Sequence, residues 1–473
     1  MKRKHLYLSF ALILLAVRLY INFRTPLISG INGAYYFVQV RSILDGNMLA
    51  FADMPLYFYL NAFLVKIVSF FSSATIESLI VTVVKLSDSF FIGLLVLPLY
   101  WLAGLFIKED KVTSLEVVLV AFACLSFAPV FLTSDLQKNS FALPFMTFSL
   151  YYFFKFIQSK SIKDIILLST FLLITGLSHF GVFSVTLFMV LIGLMVEYKW
   201  KAILPAVLLG GLGLVLIFIF DPVRAERLLN IGAILFGHPM FLAPPNLLNL
   251  ILYSLPAGIG LSIVYKWRHS LSHLQKTAIL TLSISLILLF FPMLDMQYTG
   301  RFSLIAFLPL VVLFFAMQNQ LSKGWMWVSK IGFSLVIVGT LLMTFVNPRN
   351  PTLTDEAYGD LQEIKTTLED PDNTLIIARH GLEWWVAWEL ETKAGQAMAL
   401  ASEDFAKYDQ VLSLVPLNEK NHMFPPGPGP RNGKGVMPPQ FTAVPNPDGN
   451  DVLYESDHFK LVELTEKDIP EKK

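Results

Sequence analysis

Residues 301–323 read RFSLIAFLPLVVLFFAMQNQLSK, and nothing between Arg301 and Lys323 is charged. A helix that crosses a bilayer needs roughly 20 mainly apolar residues. In hydrocarbon each backbone N–H and C=O must be satisfied within the segment, so a run of this kind is predicted to be a spanning helix. The pattern repeats on both sides of it. The spacing predicts spans at 5–23, 86–107, 113–133, 140–157, 164–179, 181–197, 202–220, 247–265, 277–296, 302–318 and 326–346, about eleven in all. The short pair around His179 could also be one broken or re-entrant unit. The whole chain of 473 residues is 55% hydrophobic and 15% charged, against roughly 25% charged in soluble domains. The deficit of charge lies within residues 1–346.

Positive flanks orient the spans. Met1-Lys2-Arg3-Lys4 precedes the first, which lacks a small-residue cleavage site and reads as an uncleaved anchor with its N-terminus in the cytoplasm. Alternation then puts Lys108/Lys111, Lys155/Lys160/Lys163, Lys199/Lys201, Lys266/Arg268/Lys276 and Lys323/Lys330 inside. An odd number of spans leaves the C-terminal segment extracytoplasmic, which in a bacterial or archaeal inner membrane means the outer face. Residues 24–85 do not fit a simple loop. The stretch from Pro55 to Ala74 is apolar but carries Asn61 and Lys66. A lysine at mid-membrane costs about 2.5–3.5 kcal/mol. Segments 33–47 and 55–84 are therefore predicted to lie along the interface.

Residues 347–473 change character. A helix is expected over 355–369, a strand over Thr374–Ala378, a helix from near Glu383, a strand over Gln410–Val415, and a hairpin of Val452–Glu455 with Phe459–Leu464. A Pro/Gly-rich segment from His422 to Asn450 separates them; without a strand–loop–helix context it is no phosphate cradle. The fold class is thus an all-α polytopic membrane bundle (1–346) followed by a small α/β domain (347–473). The net charge of +1 gives no sign of a nucleic-acid partner. The single cysteine, Cys124, excludes an internal disulfide.

Ionisable groups at membrane depth are costly and point to function. Those here collect at the outer ends of the spans: Asn32, Arg41, Asp45, Asp53, Asp88, Asp135, Lys138, His179, Asp221, Arg224, Glu226, Arg227, His238, Asp295 and Arg301. Each has a plainer reading. Asp45, Asp53 and Asp135 could be helix caps. Asp221, before Pro222, could only mark a helix stop, and Arg224 and Arg227 could be solvated. His179 could be a hydrogen-bonded core imidazole, and Arg301 could reach up to lipid headgroups or bind phosphate.

One segment is more specific. INGAYYFVQVRSILDGNMLAFADMPLYFYLNAFLVKI, residues 31–67, follows the first span. It resembles the first outer loop of GT-C fold glycosyltransferases, the membrane enzymes that include oligosaccharyltransferase catalytic subunits, protein O-mannosyltransferases and aminoarabinose transferases. The matching residues are Asn32, Tyr35, Tyr36, Arg41, Gly46, Pro55 and Leu56. TSDLQKNSFALP is similar to the family's second acidic loop and points to Asp135. GRFSLIAFLPL is similar to its late Arg-containing span and points to Arg301. The resemblance implies transfer of a sugar from a polyprenyl-phosphate-linked donor to a glycan, lipid or protein acceptor. Asp135, Asp53 or Asp45 would then serve as base, and Arg301, Lys138, Arg41, Arg224, Arg227, His179, Tyr35 and Tyr36 would surround the donor. A divalent cation, Mg or Mn, could bridge carboxylate and phosphate, although no ligand cluster demands one. The run His380-Gly381-Leu382-Glu383-Trp384-Trp385 offers aromatic faces for sugar stacking or for packing.

One departure stands out. The family's first-loop acid falls on Asn32, and an amide cannot take up a proton at physiological pH. Two rival classes follow: a catalytically inactive glycolipid-binding or scaffold member, and a transporter or flippase of lipid-linked sugars. The second would need charged or broken helices near the bilayer midplane.

Overall fold

The computed structural model describes residues 2–107, 111–202, 244–417, 444–445 and 449–469. The span expected at 202–220, together with Asp221, Arg224, Glu226, Arg227, His238 and most of the Pro/Gly-rich segment, lies outside the described residues. Two compact units make up the chain: residues 1–18, 88–133 and 137–347 form one, and residues 19–87, 134–136 and 348–473 the other. The unit that holds the C-terminal tail therefore also holds the loop after the first helix.

The first unit is helical. Among the described residues of the chain, eight helices are long and apolar enough to cross a membrane: Arg3–Phe23, Ile76–Phe106, Ser114–Phe131, Gln137–Ser159, Phe180–Tyr198, Leu247–Lys266, Tyr298–Gln320 and Lys323–Val346. The protein is a membrane protein on that ground. Two more expected spans are helices of 17 residues, Ile162–Ser178 and His273–Leu289. At 1.5 Å per residue each reaches about 25 Å, short of a hydrocarbon core of about 30 Å. The second span begins at residue 76 rather than 86, so the interfacial stretch expected over 55–84 is instead the helix Leu56–Ser69, a break, and the start of a long helix.

Packing separates helices that look alike in sequence. Leu304 to Met317 is almost wholly buried, making the 301–323 run the centre of this unit, whereas the Lys323–Val346 helix exposes most of its apolar side chains. The break at His179 is a shared cap: its backbone is extended, and its Nδ1 accepts from Val182 N–H at 3.1 Å. Asp88 is paired with Arg18. Arg18 Nη2 donates to Asp88 Oδ1 at 2.5 Å, Nε to Asp88 O at 3.1 Å and Nη1 to Pro129 O at 2.6 Å, with neither side chain exposed. A buried charge pair this well hydrogen-bonded ties three segments together, because losing either partner would strand the other in an apolar interior.

The second unit carries a five-stranded sheet of order β2-β1-β3-β5-β4, with β1 Thr374–Ile377, β2 Lys393–Gly395, β3 Gln410–Pro416, β4 Val452–Glu455 and β5 Phe459–Glu463. β1 runs parallel to β2 and β3, whereas β5 is antiparallel to β3 and β4. β1 is buried along its length, as a parallel strand covered on both faces must be. The expected strands and the helix Asp355–Thr367, capped by Thr354, are present. The helix expected from Glu383 is Leu382–Glu389 and stops there, because Lys393–Gly395 turns into an edge strand. Leu382–Glu389 packs on Gly33–Leu44, which also packs on Leu56–Ser69.

Candidate functional site

Asp135 is held by its own backbone first. Ser134 adopts a left-handed backbone, φ 70°, uncommon for a residue with a side chain. Its hydroxyl donates to Asn22 Oδ1 at 2.7 Å, and Asn22 Nδ2 donates to Lys85 O at 3.2 Å. Lys85 Nζ in turn binds the carbonyls of Thr25 and Pro26 at 3.1 and 2.8 Å. This polar chain fixes the turn that presents Asp135. Strain of this sort persists only where the surroundings over-determine it.

The carboxylate itself is nearly buried, with 6% of the side chain exposed. Oδ1 accepts from Asn32 N–H at 2.6 Å and from the Asn32 amide Nδ2 at 3.1 Å, and Oδ2 is paired with Arg349 Nη2. Tyr36 OH donates to Asp135 O at 3.2 Å. Gly30, at φ 92°, lies so close that a Cβ there would sit 2.6 Å from Asp135 Cβ. Only glycine satisfies both the backbone angle and that approach. Gly30 is positioned by the 348–352 segment: its N–H donates to Asn350 O at 3.3 Å, and Thr352 Oγ1 donates to its carbonyl at 2.7 Å. The same segment delivers Arg349.

A His–Glu pair adjoins this centre. Gly381 approaches so closely that a Cβ on it would fall 2.7 Å from the side chain of Ile31, the residue before Asn32. One residue earlier, His380 Nδ1 lies 2.8 Å from Glu383 Oε1, and Gln396 Nε2 donates to that same oxygen at 2.7 Å. Glu383 is buried and a third of the His380 side chain is exposed. The Glu383 hydrogen bond raises the imidazole pKa above its ordinary value. Burial works against that, and the charges of Glu383 and Asp135 add to the rise.

Aromatic rings wall the centre. Tyr35 meets Trp384 at 4.9 Å, Tyr36 at 5.5 Å and Phe58 at 5.7 Å between ring centroids. Its hydroxyl donates to Asp53, and Gln39 Nε2 donates to that hydroxyl at 2.9 Å. Thus Asn32, Tyr35, Tyr36, Asp53 and Asp135, singled out from sequence, are joined by direct hydrogen bonds and ring contacts.

The other candidates stand elsewhere. Arg41 gives Nη1 to Trp388 O at 2.7 Å and Nη2 to Ala387 O at 2.6 Å, and lies 4.6 Å over the Trp388 ring. It binds the carbonyl end of the Leu382–Glu389 helix, where a cation is favoured, and burial lowers its pKa. Asp45 is exposed at the C-terminal end of Gly33–Leu44. Arg301, Lys138 and His179 belong to the other unit. There Arg301 is exposed and 6.0 Å over the Tyr298 ring, and Lys138 is half-buried in the first turn of Gln137–Ser159. Sequence reasoning missed Arg349 as the partner of Asp135 and the bonds that join His380, Glu383 and Gln396. A guanidinium directly after a proline that follows a span carries no motif.

Among the described residues, no three His, Cys, Asp or Glu side chains gather as a metal site. Asp135 faces a guanidinium and an amide rather than a second carboxylate, a donor set that does not fit a divalent cation. No protein-family profile and no curated protein matches the chain.

Proposed function

We propose that this membrane protein is a glycosyltransferase that moves a sugar from a polyprenyl-phosphate-linked donor to an acceptor on the extracytoplasmic face. The observation that supports this most is the clasp on Asp135: one nearly buried carboxylate, bonded by Asn32 and Arg349, on a floor of Gly30 and beside the Tyr35–Trp384 wall. An ionised carboxylate offers roughly four lone-pair positions, and the three bonds leave one on Oδ2 for a hydroxyl. A fixed anion beside the reacting carbon favours the positive charge that develops as a glycosyl bond breaks. Arg349 lies where it could also meet the departing phosphate, since guanidinium binds carboxylate and phosphate alike. Aromatic faces such as Tyr35 and Trp384 suit the apolar face of a sugar ring.

A second reading has one feature in its favour. Asn32 cannot act as a base, which suits a member that binds glycolipid without turning it over. The test is reconstitution of the purified protein in liposomes with synthetic decaprenyl-phosphate-linked hexoses and a membrane lipid extract as acceptor source. Donor consumption by the wild type, lost in Asp135→Asn with unchanged expression, is the expected result. Saturable donor binding with no consumption would favour the second reading, and neither binding nor consumption would end both.

A further inference from the structure

The clasp leaves a chemical gap. Acceptor attack on the sugar releases a proton, and the position where related enzymes carry an acid holds the amide of Asn32. Asp135 Oδ1 and Oδ2 are both already engaged by N–H donors. An imidazole that feels the charge of Asp135 belongs to the same unit.

Resting on the glycosyltransferase reading, we infer that His380, oriented by Glu383, is the group that takes the acceptor's proton. The arrangement has the parts such a base requires. Glu383 is buried and holds Nδ1 at 2.8 Å, which selects the tautomer and directs Nε2 away from the carboxylate. Gln396 Nε2 lies 2.7 Å from Glu383 Oε1 and 3.0 Å from His380 Nδ1, fixing the carboxylate in turn. Gly381 seats the turn against Ile31, and the charge of Asp135 reaches the imidazole. Glu383 and Asp135, the latter shared with Arg349, are among the charges acting on the ring, the buried Arg379 precedes it in the same turn, and Trp384 and Gln396 are neutral neighbours. Both carboxylates favour the imidazolium that forms.

The step balances. The acceptor oxygen forms its bond to the anomeric carbon, and the bond from that carbon to the phosphate oxygen breaks. The electron pair leaves with the lipid phosphate, and the hydroxyl proton passes to His380 Nε2. Return of that proton to water or to the departing phosphate resets the site.

The experiment uses the full-length protein in liposomes with the decaprenyl-phosphate-linked hexose that the wild type consumes, read as initial rate against pH. His380→Gln should lower the rate about 10²–10⁴-fold, the usual worth of a positioned base. Wild-type rate should rise with pH as the imidazole loses its proton. Glu383→Gln should move that rise to lower pH, because the carboxylate that raises the imidazole pKa is gone, and should cost less than His380→Gln. A merely structural pair would lower rate or stability without moving the pH rise. If His380→Gln keeps the wild-type rate, or if the rise stays in place in Glu383→Gln, this role is overturned and the glycosyltransferase reading stands. Should the wild type consume no donor, the reading falls and this role with it. His380→Asn and thermal unfolding of each variant separate loss of the base from loss of the fold.

Discussion

The Asp135–Arg349 pair gives the sharpest test of the site, because its partners come from distant parts of the chain and its energy can be isolated. Asp135 exposes 6% of its side chain and Arg349 21%. Breaking a fully buried pair from one side costs about 3–5 kcal/mol, since an unpaired charge stays behind. Arg349→Ala leaves the carboxylate with the two Asn32 donors at 2.6 and 3.1 Å, and the arginine side is partly wet, so about 2–3 kcal/mol is expected. Asp135→Asn strands a guanidinium that can turn toward water, and should cost about 1–2 kcal/mol. The double variant should fall short of the sum by about 1–2 kcal/mol, more than the 0.2–1 kcal/mol typical of exposed pairs. Unfolding of the detergent-solubilised protein can be followed by the fluorescence of Trp384, Trp385 and Trp388, which sit on one helix of the same unit. At about 2–4 °C per kcal/mol for a unit of some 150–250 residues, Arg349→Ala should lower Tm by about 4–12 °C. Strict additivity of the two substitutions would refute the clasp.

Four further outcomes follow from the same geometry. Gly30→Ala should cost about 2–4 kcal/mol and abolish transfer, combining left-handed strain with a clash on Asp135; Gly46→Ala, at φ 85° with nothing within 4 Å, should show the strain alone, so equal losses at both would remove the clash from the argument. Arg41→Lys should destabilise nearly as much as Arg41→Ala in thermal melts, because an ammonium cannot span the Ala387 and Trp388 carbonyls as the guanidinium does; full rescue by lysine would contradict this. The His380–Glu383 pair raises the imidazole pKa, so its stabilisation is complete below the unfolded value of about 6.5 and is lost as pH rises through the higher folded value; Tm measured across that window should fall in the wild type and stay level in Glu383→Gln. Asn32→Asp should weaken transfer rather than raise it, and an activated variant in the liposome assay would show that the amide is a loss and not an adaptation.

Much of this architecture was legible in the residues. Uncharged runs of about 20 residues can be little else than spanning helices, and the short apolar runs in 374–377 and 410–416 matched strands because a strand covered on both faces is apolar along its length. Packing order was not legible. The 302–317 run and the 326–346 run are both apolar enough to span, yet one is almost wholly buried within its unit and the other exposes most of its apolar side chains. Composition measures cost of exposure to water, and in a bilayer both faces of a helix meet apolar surroundings. Residues 393–395 form a strand that only pairing with β1 explains, since KAG has little strand preference of its own. At the site, Asp135 and Asn32 were each visible as polar residues following an apolar run. Their bond, across 103 residues, was not, and neither were Arg18 for Asp88 or Arg349 for Asp135. A buried charge announces that a partner exists, but the topology chooses which one.

The amide at position 32 then has a physical reason that the sequence could not supply. Asn32 Nδ2 lies 3.1 Å from Asp135 Oδ1. An aspartate there would set two carboxylates at hydrogen-bond distance, and two such groups cannot both ionise without a cation between them; one would hold its proton well into the neutral range. The single guanidinium present, Arg349, approaches Oδ2 on the other side. With an amide, Asp135 keeps both the Asn32 donors and its arginine. The amide at position 32 therefore goes together with a cation brought in by the C-terminal segment. Asn32 and Arg349 thus act on Asp135 as one set, the amide and its backbone N–H on Oδ1 and the guanidinium on Oδ2, and an acid at position 32 would put a second negative charge where a donor now stands.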